Sequence, residues 1–267
     1  MITLNSDAAS TSLSKTTKAI LNEYGIKLNK NLGQNYLIDR NKRDQIIQFG
    51  NLTKDDVVLE IGPGIGTLTI ELAKRVKKVI AIEQDSNICQ ILENRLKKEN
   101  IDNVDLINDD ALNVEFPKFD KIISNLPYQI SSPITFKFLN YDFQLAILMY
   151  QKEFASRMNG KVGSKDYSRL SAMLYFKCDV DLLTGVSAES FIPKPKVDST
   201  VVRLTPKLPE LNGQLKHLNI KEINEKDFKT YSKFVKALFQ HRNKKVKNAL
   251  IDSRHIITDL DKKEMKA

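Results

Sequence analysis

The sequence predicts an α/β protein with a mostly parallel, doubly wound sheet, followed by a small basic helical unit. Between residues 56 and 149, short apolar runs alternate with helix-length amphipathic segments, a rhythm typical of parallel sheets covered by helices. A glycine-rich turn stands between the first strand and the first helix of that series. Positive charge is concentrated at the C-terminal end of the chain, which indicates an appended unit that binds a polyanion.

The apolar runs are short and continuous, as expected of strands that are buried on both faces. The predicted parallel strands are 57–61, 79–83, 104–107, 121–124 and 145–149. Helical spacing is found at 67–76, 86–98 and 132–140. Two later strands are predicted at 178–186 and 198–204.

The chain has 267 residues, of which 41% are hydrophobic, so one large or two unequal domains are expected. We expect an N-terminal extension and helix (1–30), a main domain (31–204) and a small basic helical domain that binds a polyanion (205–267). No apolar run approaches the roughly 18 residues of a membrane span, and residues 1–30 lack the apolar core of a secretory signal. We therefore expect a cytoplasmic protein, and no long apolar surface pattern demands a dimer, so a monomer is expected.

The two cysteines, Cys89 and Cys178, give no disulfide framework. Together with three histidines they cannot build a structural zinc site, so no metal is expected.

Residues 205–267 carry a net charge of +7, whereas the rest of the chain carries only +2. Residues 228–250 contain seven Lys or Arg and no acid, and their apolar residues fit one helical face. A solvated helix face is the alternative, but such a face usually mixes both signs. The residues predicted to contact the phosphates of a polyanion are Arg242, Lys244 and Lys245, with Lys194 and Lys196 as further candidates.

The segment VVLEIGPGIGTLTIEL (57–72) places glycines at 62, 64 and 66, directly after a strand. Such a turn lets the backbone approach a ligand and exposes N–H groups at the start of a helix. A dinucleotide-binding motif would need its third glycine where this chain has Thr67, and the Gly-Lys-Ser/Thr of a phosphate-binding loop is absent. A simple tight turn remains the alternative.

Acidic residues follow the next two strands. Glu83 comes 21 residues after Gly62, about the spacing at which an acid accepts hydrogen bonds from both ribose hydroxyls. Asp110 could hold the exocyclic amine of an adenine. Taken singly, Glu83 could be a solvated strand end and Asp110 an N-cap. Because three strand ends would meet at one crevice, a shared ligand site is predicted.

Together these features resemble the class I S-adenosylmethionine-dependent methyltransferases, and the resemblance narrows to the ribosomal RNA adenine dimethyltransferase family, closest to its archaeal and eukaryotic members. It covers roughly residues 28–252. The motifs that carry it are NLGQNYLID (31–39), EIGPGIGTLT (60–69), VIAIEQD (79–85), NDDAL (108–112), NLPYQISSPI (125–134), QKEFASRM (151–158), FIPKPKVDS (191–199) and FQHRNKKVKNAL (239–250). The resemblance implies a Rossmann-like, mostly parallel seven-stranded sheet with a small helical C-terminal domain.

The resemblance also implies an activity: dimethylation of the N6 amines of two adjacent adenosines near the 3′ end of small-subunit rRNA, using S-adenosylmethionine, during ribosome biogenesis. The implied partner is the small ribosomal subunit or its precursor. The implied cofactor-binding residues are Gln34, Asn35, Leu37, Gly62, Gly64, Glu83, Asp110, Ala111 and Asn125. The implied catalytic residues are Asn125, Leu126, Pro127, Tyr128 and Phe191.

Under this interpretation, the Asn125 side-chain oxygen and the Leu126 carbonyl accept hydrogen bonds from the two N–H groups of the target amine. Pro127 keeps them aimed, Tyr128 stacks on the base, and Phe191 stacks on its other face. Taken alone, Phe191 would be a core aromatic. Leu126 replaces the first proline of the wider Asp/Asn/Ser-Pro-Pro-Tyr/Phe motif, which favours rRNA over DNA as the substrate.

Two rival functions stay open at this point. One is a methyltransferase of the macrolide-resistance type, which acts on large-subunit rRNA but fits the GQNYLID and SSPI segments poorly. The other is an RNA-binding assembly or transcription factor that has kept the fold and lost catalysis. The intact glycine turn and the Asn125–Tyr128 segment argue against the second rival.

Overall fold

The structure is a computed structural model that describes residues 12–26, 35–207 and 225–257. The described residues form nine strands: β1 (Tyr36–Leu37), β2 (Val57–Ile61), β3 (Lys78–Glu83), β4 (Val104–Asn108), β5 (Lys121–Asn125), β6 (Leu145–Gln151), β7 (Cys178–Val186), β8 (Phe191–Ile192) and β9 (Ser199–Pro206). Seven of them form one sheet in the order β4-β3-β2-β5-β6-β9-β7.

This sheet confirms the predicted fold class. Its strands β4, β3, β2, β5 and β6 are parallel, and β9 runs antiparallel to β6. Every predicted strand lies within two residues of its observed boundaries. The chain builds outwards from β2 to β4 and then returns to place β5 on the other side of β2. Ligands of open α/β sheets bind at such a reversal, beyond the carboxyl ends of the strands.

A second sheet was not predicted. It joins β1 to β8 in an antiparallel pair, with Tyr36 opposite Ile192 and Leu37 opposite Phe191. Each strand has only two residues, too few to show the alternation by which a strand is recognised in sequence.

The described residues also form ten α-helices: α1 (Leu13–Glu23), α2 (Arg40–Phe49), α3 (Thr69–Ala73), α4 (Ser86–Lys98), α5 (Ser131–Phe138), α6 (Lys152–Met158), α7 (Arg169–Lys177), α8 (Glu225–Gln240), α9 (Val246–Asp252) and α10 (Arg254–Ile257). The second predicted helix, 86–98, is observed as α4. By contrast, α3 is shorter than the predicted 67–76, because the turn that contains Gly66 extends to Leu68.

Local sequence explains why α4 forms where it does. Its N-cap, Asp85, accepts hydrogen bonds from the backbone N–H groups of Asn87 and Ile88. Basic residues occupy its last turn, where they favour the negative end of the helix dipole. Ile88, Leu92 and Leu96 follow at intervals of four and are all buried, so one face of α4 belongs to the core.

The chain divides into two compact units. Among the described residues, the first unit comprises 12–26, 35–155 and 181–205, and the second comprises 156–180, 206–207 and 225–257. Within the second unit, the Tyr231 hydroxyl donates to the Ala172 carbonyl (3.0 Å) and its ring meets that of Phe176 edge-on, 4.7 Å between centroids. Separate domains at 1–30, 31–204 and 205–267 stay a prediction, and most of the predicted linker at 205–214 lies outside the described residues.

A buried ion pair lies at the amino end of β5. The ammonium of Lys121 is 2.9 Å from Asp56 Oδ2 and also donates to the Asn51 carbonyl (2.7 Å). Burial alone would raise the pKa of Asp56, but hydrogen bonds from Thr53 and Lys121, with the charge of Lys121, hold it below its ordinary value. Both partners of the pair are less than 10% exposed, so neither could be solvated if the other were removed.

We expect Lys121→Met to destabilise the protein by about 3–5 kcal/mol, because it leaves the Asp56 carboxylate buried without its partner. The matched control is Lys78→Met at the start of β3, where the pair with Asp105 is about half exposed, 44% and 56% for the two side chains. That change should cost no more than about 1 kcal/mol. Urea unfolding of the two variants measures the difference, and equal losses would contradict the expectation.

Candidate active site

A cleft opens at the carboxyl ends of four neighbouring parallel strands, β2 to β5, and encloses about 1090 Å³ of space that includes open solvent. Three of the strands contribute the residues that directly follow them: Gly62–Gly64 after β2, Asp109–Ala111 after β4 and Leu126–Ile130 after β5. Strand β3 contributes Glu83 at its own end, and Asn35–Leu37 from the region of β1 also line the cleft. The cleft therefore lies at the reversal of strand order.

The glycine turn after β2 requires glycine at the two positions that line the cleft. Gly62 and Gly64 have φ angles of 67° and 56°, in the left-handed region that residues with a side chain rarely adopt. A Cβ on Gly62 would lie 2.9 Å from Pro127 Cγ, and one on Gly64 would lie 2.8 Å from Tyr36 Cε1. Both contacts are too short, so the turn packs closely against the other walls of the cleft only because side chains are missing there.

Glu83 ends β3 and is 9% exposed. Its Oε2 accepts the N–H of Gly64 and its Oε1 accepts the N–H of Asp85, each at 3.1 Å. Burial raises the pKa of Glu83, although these backbone hydrogen bonds oppose the rise. Each carboxylate oxygen has a second lone pair, so Glu83 can still accept hydrogen bonds from a diol in the cleft.

Asp110 is both a lining residue and a cap. Its Oδ1 accepts the N–H of Leu112 (2.9 Å) and its Oδ2 accepts from the side-chain amide of Asn113 (3.0 Å). Ala111 also lines the cleft and is 4% exposed. Asp110 therefore caps the turn at 111–113, where no helix follows, so the helix N-cap alternative is not observed, and the side chain also lies at the cleft.

Asn125 ends β5, and its side-chain amide is oriented by one contact. Its Nδ2 donates to the Asn35 carbonyl at 3.0 Å. The amide nitrogen is thus bound by the Asn35 carbonyl at one wall of the cleft. Within the described part of the chain, Oδ1 accepts no hydrogen bond. An amide held in this way offers an acceptor oxygen to a ligand.

The residues after Asn125 form a tight structure that leads into α5. Leu126 is buried, Pro127 packs near Gly62, and Tyr128 begins a short 3-10 turn that ends at Ile130. The hydroxyl of Tyr128 shares a hydrogen bond of 2.6 Å with that of Ser199, which is itself 1% exposed. The tyrosine ring is therefore anchored at its far end by β9.

The structure does not bring every predicted residue to the cleft. Phe191 is 2% exposed, packs in a core cluster with Leu37 and Val186, and is absent from the cleft lining. Its position matches the core-aromatic alternative and gives no support to stacking on a base, which stays a prediction. Gln34 lies outside the described residues.

Two buried polar residues of the lining were not predicted from the sequence. Glu60 is 1% exposed, and Tyr36 is 6% exposed. Neither Glu60 Oε2 nor the Tyr36 hydroxyl has a hydrogen-bond partner among the described residues. Burial raises the pKa of Glu60 to about 8, and the negative charge of Glu83 adds to that rise. An acid within the apolar run VVLEI was the signal that could have found Glu60.

Comparison with known proteins identifies the family. The sequence matches the family described as ribosomal RNA adenine dimethylase over residues 25–262. The chain belongs to this family. It is 50% identical over 250 residues to the probable ribosomal RNA small subunit methyltransferase A of Methanosphaera stadtmanae, covering 94% of this chain and 86% of that protein. The family and the enzyme class predicted from the sequence are thereby confirmed.

Solved structures agree with the family assignment. A dimethyladenosine transferase from Plasmodium falciparum superposes with a TM-score of 0.68 at 36% identity, over 80% of this chain and 74% of that one. The 23S rRNA methyltransferase ErmE gives a TM-score of 0.63 at 28% identity, over 81% and 84% of the two chains. Both support the predicted methyltransferase fold.

The basic residues predicted to bind RNA are all exposed, but three of them have partners in the protein. In the first unit, Lys194 pairs with Glu189, whereas Lys196 extends into solvent without a recorded partner among the described residues. In the second unit, Arg242 donates to the Tyr167 carbonyl (2.8 Å).

Of the two lysines at 244 and 245 in the second unit, one has an ion-pair partner and the other does not. Lys244 pairs with Asp252. Lys245 is exposed and has no recorded ion pair within the described ranges. The prediction that these side chains contact phosphate is not tested by these contacts, but Lys244 would have to give up an intramolecular partner.

The described residues show neither a membrane span nor a metal-binding cluster. None of their helices has the length and apolar character needed to cross a bilayer. They also contain no group of three His, Cys, Asp or Glu side chains that could hold a metal ion.

Glu60 makes the stability of this family member depend on pH. Its ordinary pKa of 4.5 applies in the unfolded chain, whereas the folded value is about 8. Between these values the unfolded state loses the proton first, so the wild-type protein should lose about 1.4 kcal/mol per pH unit relative to Glu60→Gln. Below pH 4.5 that difference should stop changing with pH, since both side chains are then neutral.

Chemical denaturation of both proteins from pH 4 to pH 8 measures this difference. The matched control is Glu93→Gln, because Glu93 is exposed on α4 and paired with Lys97. The stability loss of the wild-type protein relative to this variant should not grow as the pH rises. A constant difference between wild type and Glu60→Gln over this range would contradict the assigned pKa.

Proposed function

We propose that the cleft binds S-adenosylmethionine and an unpaired adenosine of small-subunit rRNA, and that the chain dimethylates the N6 amines of two adjacent adenosines near the 3′ end of that RNA. The proposed setting is ribosome biogenesis, with the small subunit or its precursor as partner. Family membership supports the adenine dimethylation itself. The observation that carries the site assignment is the oriented amide of Asn125, which keeps an acceptor oxygen at the cleft.

The cleft suits S-adenosylmethionine. Its closely packed glycine turn leaves space where side chains would otherwise intrude, and Glu83 offers a buried acceptor for the ribose hydroxyls. The cofactor-binding residues in the proposal are Asn35, Leu37, Gly62, Gly64, Glu83, Asp110, Ala111 and Asn125, with Gln34 outside the described residues. When bound, the cofactor supplies an electrophilic methyl group on a positively charged sulfur.

The chain's own task is to prepare the amine. The lone pair of an adenine N6 is delocalised into the ring, which makes the amine a poor nucleophile without making it acidic. In the proposal, Asn125 Oδ1 and the Leu126 carbonyl accept its two N–H groups and hold the nitrogen near tetrahedral geometry. Because Nδ2 of Asn125 is occupied by the Asn35 carbonyl, Oδ1 does not need to be reoriented for this role.

The rest of the segment holds the base. Pro127 rigidifies the turn, and Tyr128 offers a ring face whose hydroxyl end is fixed by Ser199. An adenine stacked in a helix cannot enter such a cleft, so the target must be unpaired or flipped out of its stack.

Sequence identity to the relatives favours small-subunit rRNA as the substrate. The archaeal relative whose printed name refers to the small subunit is 50% identical to this chain, whereas the 23S rRNA methyltransferase structure is 28% identical. The complete cleft also speaks against a protein that has lost catalysis. Incubation with labelled S-adenosylmethionine and either unmethylated small or large subunits, followed by product mapping, separates these functions. Label only in the large subunit, or in neither, would overturn the proposal.

RNA binding is proposed for the basic surfaces of both units and for residues 205–267 as a domain. Lysine and arginine contacts to phosphate position an RNA without reading its sequence, so the shape of the subunit would supply specificity. A monomeric protein, a cytoplasmic location and independence of metal all stay predictions.

Asn125→Ala should retain S-adenosylmethionine binding and lose methyl transfer, by about 10²–10³-fold as for other removed transition-state contacts. Asn125→Asp is the matched control. It keeps an acceptor oxygen but loses the donor to the Asn35 carbonyl, and it should retain more activity than the alanine variant. A tritium-transfer assay on unmethylated small subunits measures both, and full methylation by Asn125→Ala would contradict the role.

RNA affinity should fall steeply with salt, because bound Lys and Arg release counterions from the phosphates. Lys245→Ala should reduce the slope of log K against log salt by about 1. Lys244→Ala should reduce it less, since Lys244 is already paired with Asp252. A filter-binding titration with small-subunit rRNA measures the slopes, and a flat titration of the wild-type protein would contradict phosphate contact.

A further inference from the structure

Lys137 lies in the last turn of α5, and its ammonium is held by the loop that follows β4. Its Nζ donates to the carbonyls of Ala111 (2.9 Å) and Leu112 (3.3 Å) and also to that of Val114. The same ammonium lies 4.3 Å from the centroid of the Phe116 ring. One side chain thus contacts almost the whole loop between Asp110 and Phe116.

The loop needs a cation at this point. An ammonium has three donors, which match the three converging carbonyls. Without a donor, three carbonyl oxygens would face one another with no compensation in a half-buried position, which is unfavourable. Burial lowers the pKa of Lys137, whereas the nearby acids Asp109, Asp110 and Glu115 oppose that shift.

The same loop carries two residues of the proposed cofactor site. Asp110 caps the turn that begins at Ala111, through its hydrogen bond from the Leu112 N–H. The positions of Asp110 and Ala111 at the cleft therefore depend on the path of the backbone from 111 to 114, which is the part that Lys137 holds. Moreover, α5 starts directly after the 3-10 turn of Tyr128, so one helix carries the base-binding segment at one end and Lys137 at the other.

We propose that Lys137 is a positioning residue for the adenine of the cofactor: it fixes the 110–114 loop so that Asp110 and Ala111 recognise that base. This inference rests on the proposed binding of S-adenosylmethionine in the cleft. Lys137 does not line the cleft itself, so its effect would pass through the loop carbonyls. It should therefore govern affinity and base selectivity rather than the methyl-transfer step.

The test compares Lys137→Met with Lys118→Met. Both substitutions remove one positive charge, but Lys118 is exposed and follows the loop that Lys137 holds. Calorimetric titration with S-adenosylhomocysteine should show about tenfold weaker binding for Lys137→Met, the size expected for losing hydrogen bonds from a charged donor, and wild-type binding for Lys118→Met. At saturating S-adenosylmethionine, kcat of Lys137→Met should stay near the wild-type value while KM rises.

Base selectivity distinguishes positioning from general stabilisation. S-inosylhomocysteine lacks the exocyclic amine of the adenine, so the ratio of its dissociation constant to that of S-adenosylhomocysteine reports recognition by the loop. That ratio should fall in Lys137→Met. Equal weakening for both ligands, or no weakening, overturns the inference. If the wild-type protein binds neither ligand, the proposed function fails first and this inference with it.

A second variant covers the case in which Lys137→Met does not fold. Lys137→Arg keeps the positive charge above the Phe116 ring, but its planar guanidinium cannot converge on three carbonyls as an ammonium does. We expect a smaller fall of the same ratio in this variant. A wild-type ratio in Lys137→Arg would overturn the proposal.

Discussion

The site depends on the separation of β2 and β5 at their carboxyl ends. These neighbouring parallel strands are paired at Val58 with Lys121 and at Leu59 with Ile122. Beyond those pairs the Ser124 hydroxyl donates to the Ile61 carbonyl at 2.6 Å and bridges the strand ends in place of a backbone ladder. Because the chain leaves β2 in one direction and β5 in the other, no crossover segment fills the space between them.

Two turns then meet across that separation. The turn after β2 presents Gly62, and the turn after β5 presents Pro127, close enough that a Cβ on the glycine would overlap the proline ring. The turn proposed to bind the cofactor and the turn proposed to bind the base are therefore in direct contact. A side chain on Gly62 would displace the turn after β5, where the rigid Pro127 and the buried Leu126 lie opposite the conformationally permissive glycine turn.

Most of the fold could be predicted because the parallel strands are continuous apolar runs separated by amphipathic segments. The features that the sequence did not predict are either very short or determined by packing between distant parts of the chain. The pair β1–β8 is too short for periodicity, and nothing in residues 156–180 signals that they group with the C-terminal helices. At the site, strand ends and glycines identified the cleft. Glu60 and Lys137 acquire their properties only from burial and from loop carbonyls that the sequence does not place.

Charge is distributed in a way that suits two ligands of opposite sign. The chain has a net charge of +9, yet the acids Glu83, Asp109 and Asp110 line the cleft, beside Glu60, whose raised pKa keeps it mostly protonated at neutral pH. A cleft lined by acids favours a cationic sulfonium and disfavours phosphate, since the local potential acts on each in the opposite sense. Exposed lysines such as Lys196 and Lys245 lie outside that lining. An RNA bound through such lysines would thus be held by its backbone, while only an uncharged base could enter the acidic cleft without electrostatic penalty.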